Sequence, residues 1–163
     1  ATTLAPLSTE GALVNLLDQV DRAVGDGATV VMGGKRIDRP GSFMQPTILA
    51  DISPDSAAFR EEFFGPVALF FRVQDEDAAV ALANDSAFGL GGSVFTGDIA
   101  RGKRVASRID TGMMFVNHPT WTTPDLPFGG VKDSGYGREL SSMGIQEFVN
   151  KKLVRVEAID AQA

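Results

Sequence analysis

The lone histidine, His118, is the natural general base for a serine or a water molecule, because an imidazole titrates close to neutrality. No aspartate-plus-serine arrangement accompanies it, and a single loop histidine is more often solvated or packed than catalytic. Glu61 and Glu62 are adjacent, so on any regular element their carboxylates point to different sides and do not make an acid–base pair. Cysteine is absent, which excludes disulfides, thiolate zinc sites and a cysteine nucleophile within this chain. Gly135 and Gly137 come close to a dinucleotide fingerprint, but Leu140 holds the sixth position. The three-glycine backbone that lets a pyrophosphate approach a helix N-terminus is therefore incomplete. No phosphate loop, His-Glu-x-x-His helix or calcium loop occurs, so no metal ligand set is expected. Asn84, Asp85 and Ser86 match a glycosylation sequon, which carries no weight without a secretory signal.

The elements that must position such residues belong to a chain of 163 residues, 44% apolar, with mean hydropathy +0.03. That fits one domain, residues 1–163, able to bury a core without a staple. Fifteen basic against twenty-one acidic side chains give a net charge of −6, so attraction to nucleic acid or anionic lipid is not expected. No apolar run is long enough to span a bilayer and the N-terminus lacks a signal-peptide pattern, so the expected location is cytoplasmic. The first residue is Ala1, which hints at a processed chain or a piece of a longer one.

Ser8 or Thr9 can cap a helix with Leu13, Leu16, Val20 and Val24 on its inner face, ending at Gly25 and Gly27. Thr29–Met32 reads as a buried strand, Thr47–Ala50 as a short extended segment and Val67–Val73 as a strand. Asp75 or Asp77 opens a helix with Ala79, Val80, Leu82 and Ala83, followed by a strand at Leu90–Thr96. Asp98 caps the next helix, with Ile99, Val105, Ala106 and Ile109 inward and Arg101, Lys103, Arg104 and Arg108 outward. A strand follows at Met113–Asn117, then a polar and aromatic loop and a helix at Glu139–Val149. Lys152–Glu157 alternates like an edge or intersubunit strand. Such alternation predicts an α/β layered fold, with a mainly parallel sheet flanked by helices.

Two stretches are too particular for composition to explain. They are Glu61-Glu62-Phe63-Phe64-Gly65-Pro66-Val67, and Pro127-Phe128-Gly129-Gly130-Val131-Lys132 running into Ser134-Gly135-Tyr136-Gly137-Arg138-Glu139. Both resemble signatures of the NAD(P)-dependent aldehyde dehydrogenase family. Asn84 with Phe88-Gly89-Leu90, Val94-Phe95-Thr96, and Gly112 with Val116-Asn117 resemble that family's intervening elements in the same order. The resemblance covers roughly residues 6–156 and implies the C-terminal part of the catalytic domain of such an enzyme. In that family a cysteine thiolate attacks the aldehyde, hydride passes to NAD or NADP, and water hydrolyses the thioester. The resemblance implies that the cysteine, the general-base glutamate and the nucleotide-binding domain lie before Pro6, in the missing N-terminal part of the polypeptide. The chain alone is then expected to be inactive.

By the same resemblance Glu62 matches the glutamate that accepts from the nicotinamide ribose hydroxyls, Phe64 the aromatic residue beside the nicotinamide, and Leu90 a residue of that neighbourhood. The Asn117–Phe128 loop matches one wall of the substrate tunnel, with Phe128, Trp121 and His118 as candidate substrate contacts. Without the resemblance, Glu62 reads as a first-turn carboxylate at a helix N-terminus and the aromatics as packing. The loop looks most similar to that of bacterial succinate-semialdehyde dehydrogenases, implying a small carboxylated aldehyde as substrate. Residues 151–157 match an oligomerisation strand, and a homo-oligomer is implied. Removal of neighbouring domains would expose apolar surface, so the isolated chain is expected to dimerise or aggregate. The alternatives are a naturally truncated, noncatalytic interaction protein of the same fold, and an acylating or phosphate-reducing relative.

Overall fold

The structure, a computed structural model, describes residues 4–159. Its backbone divides into two compact units, Ala1–Asp75 and Glu76–Ala163, where the sequence reads as one. Every named strand finds its partner inside its own unit.

The first unit begins with α1, Glu10–Gly25. Thr9 caps it as expected, its hydroxyl accepting from the Ala12 N–H at 3.0 Å. Leu13, Leu16, Val20 and Ala23 form the buried stripe. Ala23 replaces the expected Val24, which is 42% exposed. The chain turns back on the Ala23 side, where the Ala28 N–H bonds the Ala23 carbonyl. The stripe packs on Met44, Leu49, Ile52 and Ala58, and Phe59 meets Phe71 edge to face at 5.6 Å.

Strand β1, Thr29–Met32, runs antiparallel to β2, Thr47–Ala50, and β2 runs parallel to β3, Val67–Leu69. The expected burial of β1 does not hold. It is an edge strand with one neighbour, and all four of its residues are exposed. The third strand stops at Leu69 rather than Val73 because its partner leaves, with Asp51 at φ 56 turning the chain away. A 3-10 turn at Ala57–Phe59 is tied to the end of α1, where the Ser56 hydroxyl donates to Asp26 at 2.8 Å.

The second unit starts with α2, Glu76–Asn84, and β4, Phe88–Gly89. Strand β5, Gly91–Val94, crosses through α3, Ile99–Ala106, to the parallel strand β6, Met113–Val116. Asp98 caps α3 as expected, accepting from the Arg101 N–H. The helix approaches β6 at Gly102, where a Cβ would lie 2.6 Å from Val116 Cγ1. Ile99, one turn earlier, stays 52% exposed rather than inward. Strand β7, Val131–Lys132, returns antiparallel to β4.

The expected helix at Glu139–Val149 is reduced to α4, Ser141–Gly144, and a 3-10 turn, Ile145–Phe148. Glu139 is held extended by reciprocal backbone hydrogen bonds with Phe128, so helix cannot begin before Ser141. Residues 149–159 form neither helix nor strand. In the expected strand at 151–157, Leu153 and Val156 are 90% and 85% exposed, with no strand partner among the described residues. The α/β class stands. Its strands are spread over three small sheets, parallel in β2–β3 and β5–β6 and antiparallel in β1–β2 and β4–β7.

Candidate functional site

In the first unit Glu62 lies in the loop that follows the 3-10 turn, not at a helix N-terminus. Glu62 is exposed and Phe64 beside it is 79% exposed. A large uncovered aromatic ring has a hydrophobic reason to be covered by something. Both residues line an open groove of about 480 Å³ whose floor is α1, including Asn15, Leu16 and Gln19.

The loop is held from α1. The Gln19 amide donates at 3.1 Å to the Glu62 carbonyl and at 3.1 Å to the Glu61 carboxylate. The Arg22 guanidinium grips both Glu61 oxygens, at 2.9 and 3.1 Å, while its Nε–H donates to Asp18 at 3.0 Å. Arg22, then Gln19, hold the Glu61 carboxyl below the usual carboxylate range, and the Glu61 and Asp18 carboxylates raise the Arg22 guanidinium. At the far end, a Cβ on Gly65 would lie 2.3 Å from Leu16 Cδ2, so the glycine backbone lies directly on that side chain. Glu61 is thereby anchored inward, and Glu62 offers its carboxylate to solvent.

This pair suits a ligand that joins a polyol to a flat ring. A carboxylate accepts from two hydroxyls at once, and an uncovered phenyl ring packs on an aromatic face. A ribosyl-nicotinamide group has those two parts.

In the second unit the carboxyl ends of β5 and β6 are pinned by Asn117. At φ 56 its side chain accepts from the Thr96 N–H at 2.7 Å and donates to the Thr96 carbonyl at 2.8 Å. Ligands of parallel sheets gather at such carboxyl ends. His118 follows immediately, and its ring stands 6.0 Å from Phe115 and 6.3 Å from Trp121. The imidazole Nδ1 lies 2.6 Å from the Pro119 carbonyl, which only accepts, so Nδ1 carries a proton. Trp121 is 58% exposed.

Phe128 is half-buried, its backbone bridged to Glu139. The turn after it is built against Gly112, where a Cβ would fall 1.8 Å from the Gly129 carbonyl oxygen. Arg138 Nη1 donates to the Gly130 and Gly137 carbonyls, and Lys132 Nζ donates to the Asn84 and Ser86 carbonyls at the end of α2. Leu90, 42% exposed, joins β4 to β5.

Glu62 and Phe64 are thus brought to one groove, and His118 and Trp121 to one aromatic stack. Phe128 and Leu90 flank the β4–β7 pairing. Gln19 and Arg22 escaped the sequence reading, and so did the clasp of the Asn117 side chain on Thr96. The first two act across about forty residues, which no local spacing reveals; Asn117 had a signal, an asparagine directly after a strand where a positive φ is tolerated. Among the described residues no cluster of three or more His, Cys, Asp or Glu could hold a metal ion, and no helix is long and apolar enough to cross a membrane.

The aldehyde dehydrogenase family matches residues 1–154. The succinate-semialdehyde dehydrogenase [NADP(+)] of Deinococcus radiodurans is 61% identical over 155 residues, 95% of this chain and 32% of that protein. The crystal structure of succinic semialdehyde dehydrogenase from Streptococcus pyogenes in complex with NADP+ is 46% identical with TM-score 0.92, over 96% of this chain and 34% of that one. A Mycobacterium tuberculosis aldehyde dehydrogenase complexed with NAD+ is 37% identical with TM-score 0.86, over 91% of this chain and 31% of that one. The chain therefore spans about a third of the length of the relatives it matches. A covered share is not a position, so these matches support a segment of such an enzyme and do not carry the expected C-terminal placement.

Proposed function

The chain belongs to the aldehyde dehydrogenase family, and from that premise we propose that it is a segment of an enzyme oxidising succinate semialdehyde to its dicarboxylic acid with NADP+ or NAD+. The observation that carries this reading is the 61% identity with the Deinococcus radiodurans succinate-semialdehyde dehydrogenase over 95% of the chain. When bound, the nicotinamide cofactor supplies the hydride acceptor.

This chain's own residues bind and orient. Glu62 would accept from the ribose hydroxyls, and Phe64 beside it would pack on the nicotinamide ring. The His118–Trp121 stack, and Phe128 apart from it, supply aromatic surface that excludes water and selects the aldehyde. Thr120, Thr122 and Thr123 of the same loop offer hydroxyls to the substrate carboxylate. The thiolate nucleophile comes from outside these residues, since they hold no cysteine. The reading frame on either side of the segment decides which side supplies it. Residues 151–157 pair with a second subunit in this reading.

The test uses the intact polypeptide that carries this segment, with reduced-cofactor absorbance as readout. Succinate semialdehyde is expected to be preferred over an uncharged long-chain aldehyde, and the 163 residues alone to be inactive. The reverse preference refutes the substrate. Aldehyde oxidation by the isolated chain refutes the segment reading.

A further inference from the structure

We propose that Gln19 and Arg22 are positioning residues for the cofactor: through Glu61 and the Glu62 carbonyl they fix the loop that presents Glu62 and Phe64. This rests on the reading of Glu62 as a ribose contact and assigns the residues that set its geometry.

The argument starts from what the loop lacks. Glu62 and Phe64 belong to neither helix nor strand, and both side chains are exposed. Their own packing therefore does little to hold them. A carboxylate that must meet two hydroxyls together loses binding when its backbone wanders, because the ordering cost then falls on the ligand.

α1 supplies the order. Gln19 and Arg22 follow Leu16 at three-residue steps, so they run from the buried stripe Leu13, Leu16, Val20 and Ala23 out along its flank. Gln19 binds the backbone at Glu62 itself, so its effect on that residue is direct. Arg22 acts one residue upstream by a bidentate grip on Glu61. Asp18 takes the third guanidinium edge through Nε. Leu16 closes the system by accepting Gly65 against its side chain. A lysine at position 22 would carry the charge but could not reproduce a fork bonded on both Nη atoms and Nε. The adjacent carboxylates therefore divide the labour. Glu61 is tied to the protein, and its pairing with Arg22 leaves Glu62 as the carboxylate available to a ligand.

The experiment is steady-state kinetics on the intact polypeptide carrying this segment, with Arg22→Ala, Arg22→Lys, Gln19→Ala, Glu61→Gln and Glu62→Gln. Arg22→Ala is expected to raise the cofactor KM about five-fold, the equivalent of ~1 kcal/mol for a well-formed bidentate pair. Arg22→Lys recovers less than half of that effect, while aldehyde KM stays unchanged and the melting temperature falls no further than in Glu61→Gln. Arg22→Ala and Glu61→Gln combine less than additively, as partners in one network do. Hydrogen exchange on the 163-residue chain gives a readout without activity: Arg22→Ala and Gln19→Ala speed exchange at Glu62–Phe64 and leave Leu13–Leu16 protected.

A Glu62→Gln variant with unchanged cofactor KM removes the ribose-contact reading and this inference with it. A raised KM in Glu62→Gln alongside wild-type values in Arg22→Ala and Gln19→Ala overturns the inference alone. Loss of melting temperature and of both KM values together in Arg22→Ala shows a merely structural role and also overturns it.

Discussion

Replacing Gly112 by alanine tests how tightly the turn after Phe128 is built. The added Cβ would sit 1.8 Å from the Gly129 carbonyl oxygen, 2.6 Å from its carbonyl carbon and 2.8 Å from Gly130 Cα. The shortest of these falls about 1.2 Å short of the 3.0 Å below which real Cβ contacts are essentially never found. All three atoms are backbone, so no side chain can rotate away, and the turn must move as a body. Arg138 holds that turn through the Gly130 carbonyl, and Phe128 and Glu139 hold it through their reciprocal bonds. Overpacking of this kind costs ~2 kcal/mol, a fall of about 8–16 °C in the melting temperature of a unit this size. The assay is thermal unfolding followed by tryptophan emission. Trp121 is the sole tryptophan and belongs to the second unit, so its signal reports that unit. Gly97→Ala is the control, since a Cβ there meets nothing within 4 Å, and it should stay within about 0.5 kcal/mol of the parent. If Gly112→Ala melts with the control, the turn does not rest on Gly112 and the placement of Phe128 falls with it.

Thr9→Ala removes the α1 cap and is expected to cost ~1 kcal/mol, seen as faster hydrogen exchange in the first turn. Asn117→Ala loses both bonds to Thr96 and places alanine at a positive φ, for a cost of about 2 kcal/mol, read from the denaturant midpoint of Trp121 emission. The Glu61 carboxyl, held low by Arg22 and Gln19, stabilises the fold above its ordinary value of 4.5, and that contribution is lost as pH falls through the lowered value. Glu61→Gln should therefore flatten the acid limb of helix stability, and an unchanged limb by circular dichroism would discount the pairing. In the intact polypeptide, Trp121→Ala should change aldehyde KM more than cofactor KM.

Local signals were legible. Thr9 and Asp98 cap the helices assigned to them, because a capping side chain acts within three residues. The order of the main helices and strands up to β6 followed from apolar spacing, while β4 and β7, two residues each, left no periodicity to read. What failed depended on distant partners. The four residues of β1 look buried by composition and are exposed because the strand has one neighbour. The helix expected from Glu139 loses its first turn to a bridge with Phe128, eleven positions earlier. At the candidate site, Glu62 stood out only through its motif, and the Arg22–Glu61 grip spans 39 positions. Composition does not record such a contact.

The antiparallel pairing of β4 with β7 also bears on the order in which the second unit assembles. Phe88 meets Lys132, and the Gly89 N–H donates to the Ser134 hydroxyl 45 positions away. Between them lies the β5–α3–β6 crossover, whose contacts are closer in sequence. Chain-closure entropy favours the nearer contacts first, so the crossover is expected to nucleate and the β4–β7 clasp to close late. Substitutions at Val131 should then mainly hasten unfolding, and substitutions at Met114 should slow refolding; stopped-flow traces showing the opposite would reverse the order. The turn carrying Phe128 would be the last part of the unit to set and the first to loosen, so the order around that ring would be lost well before the scaffold beneath it.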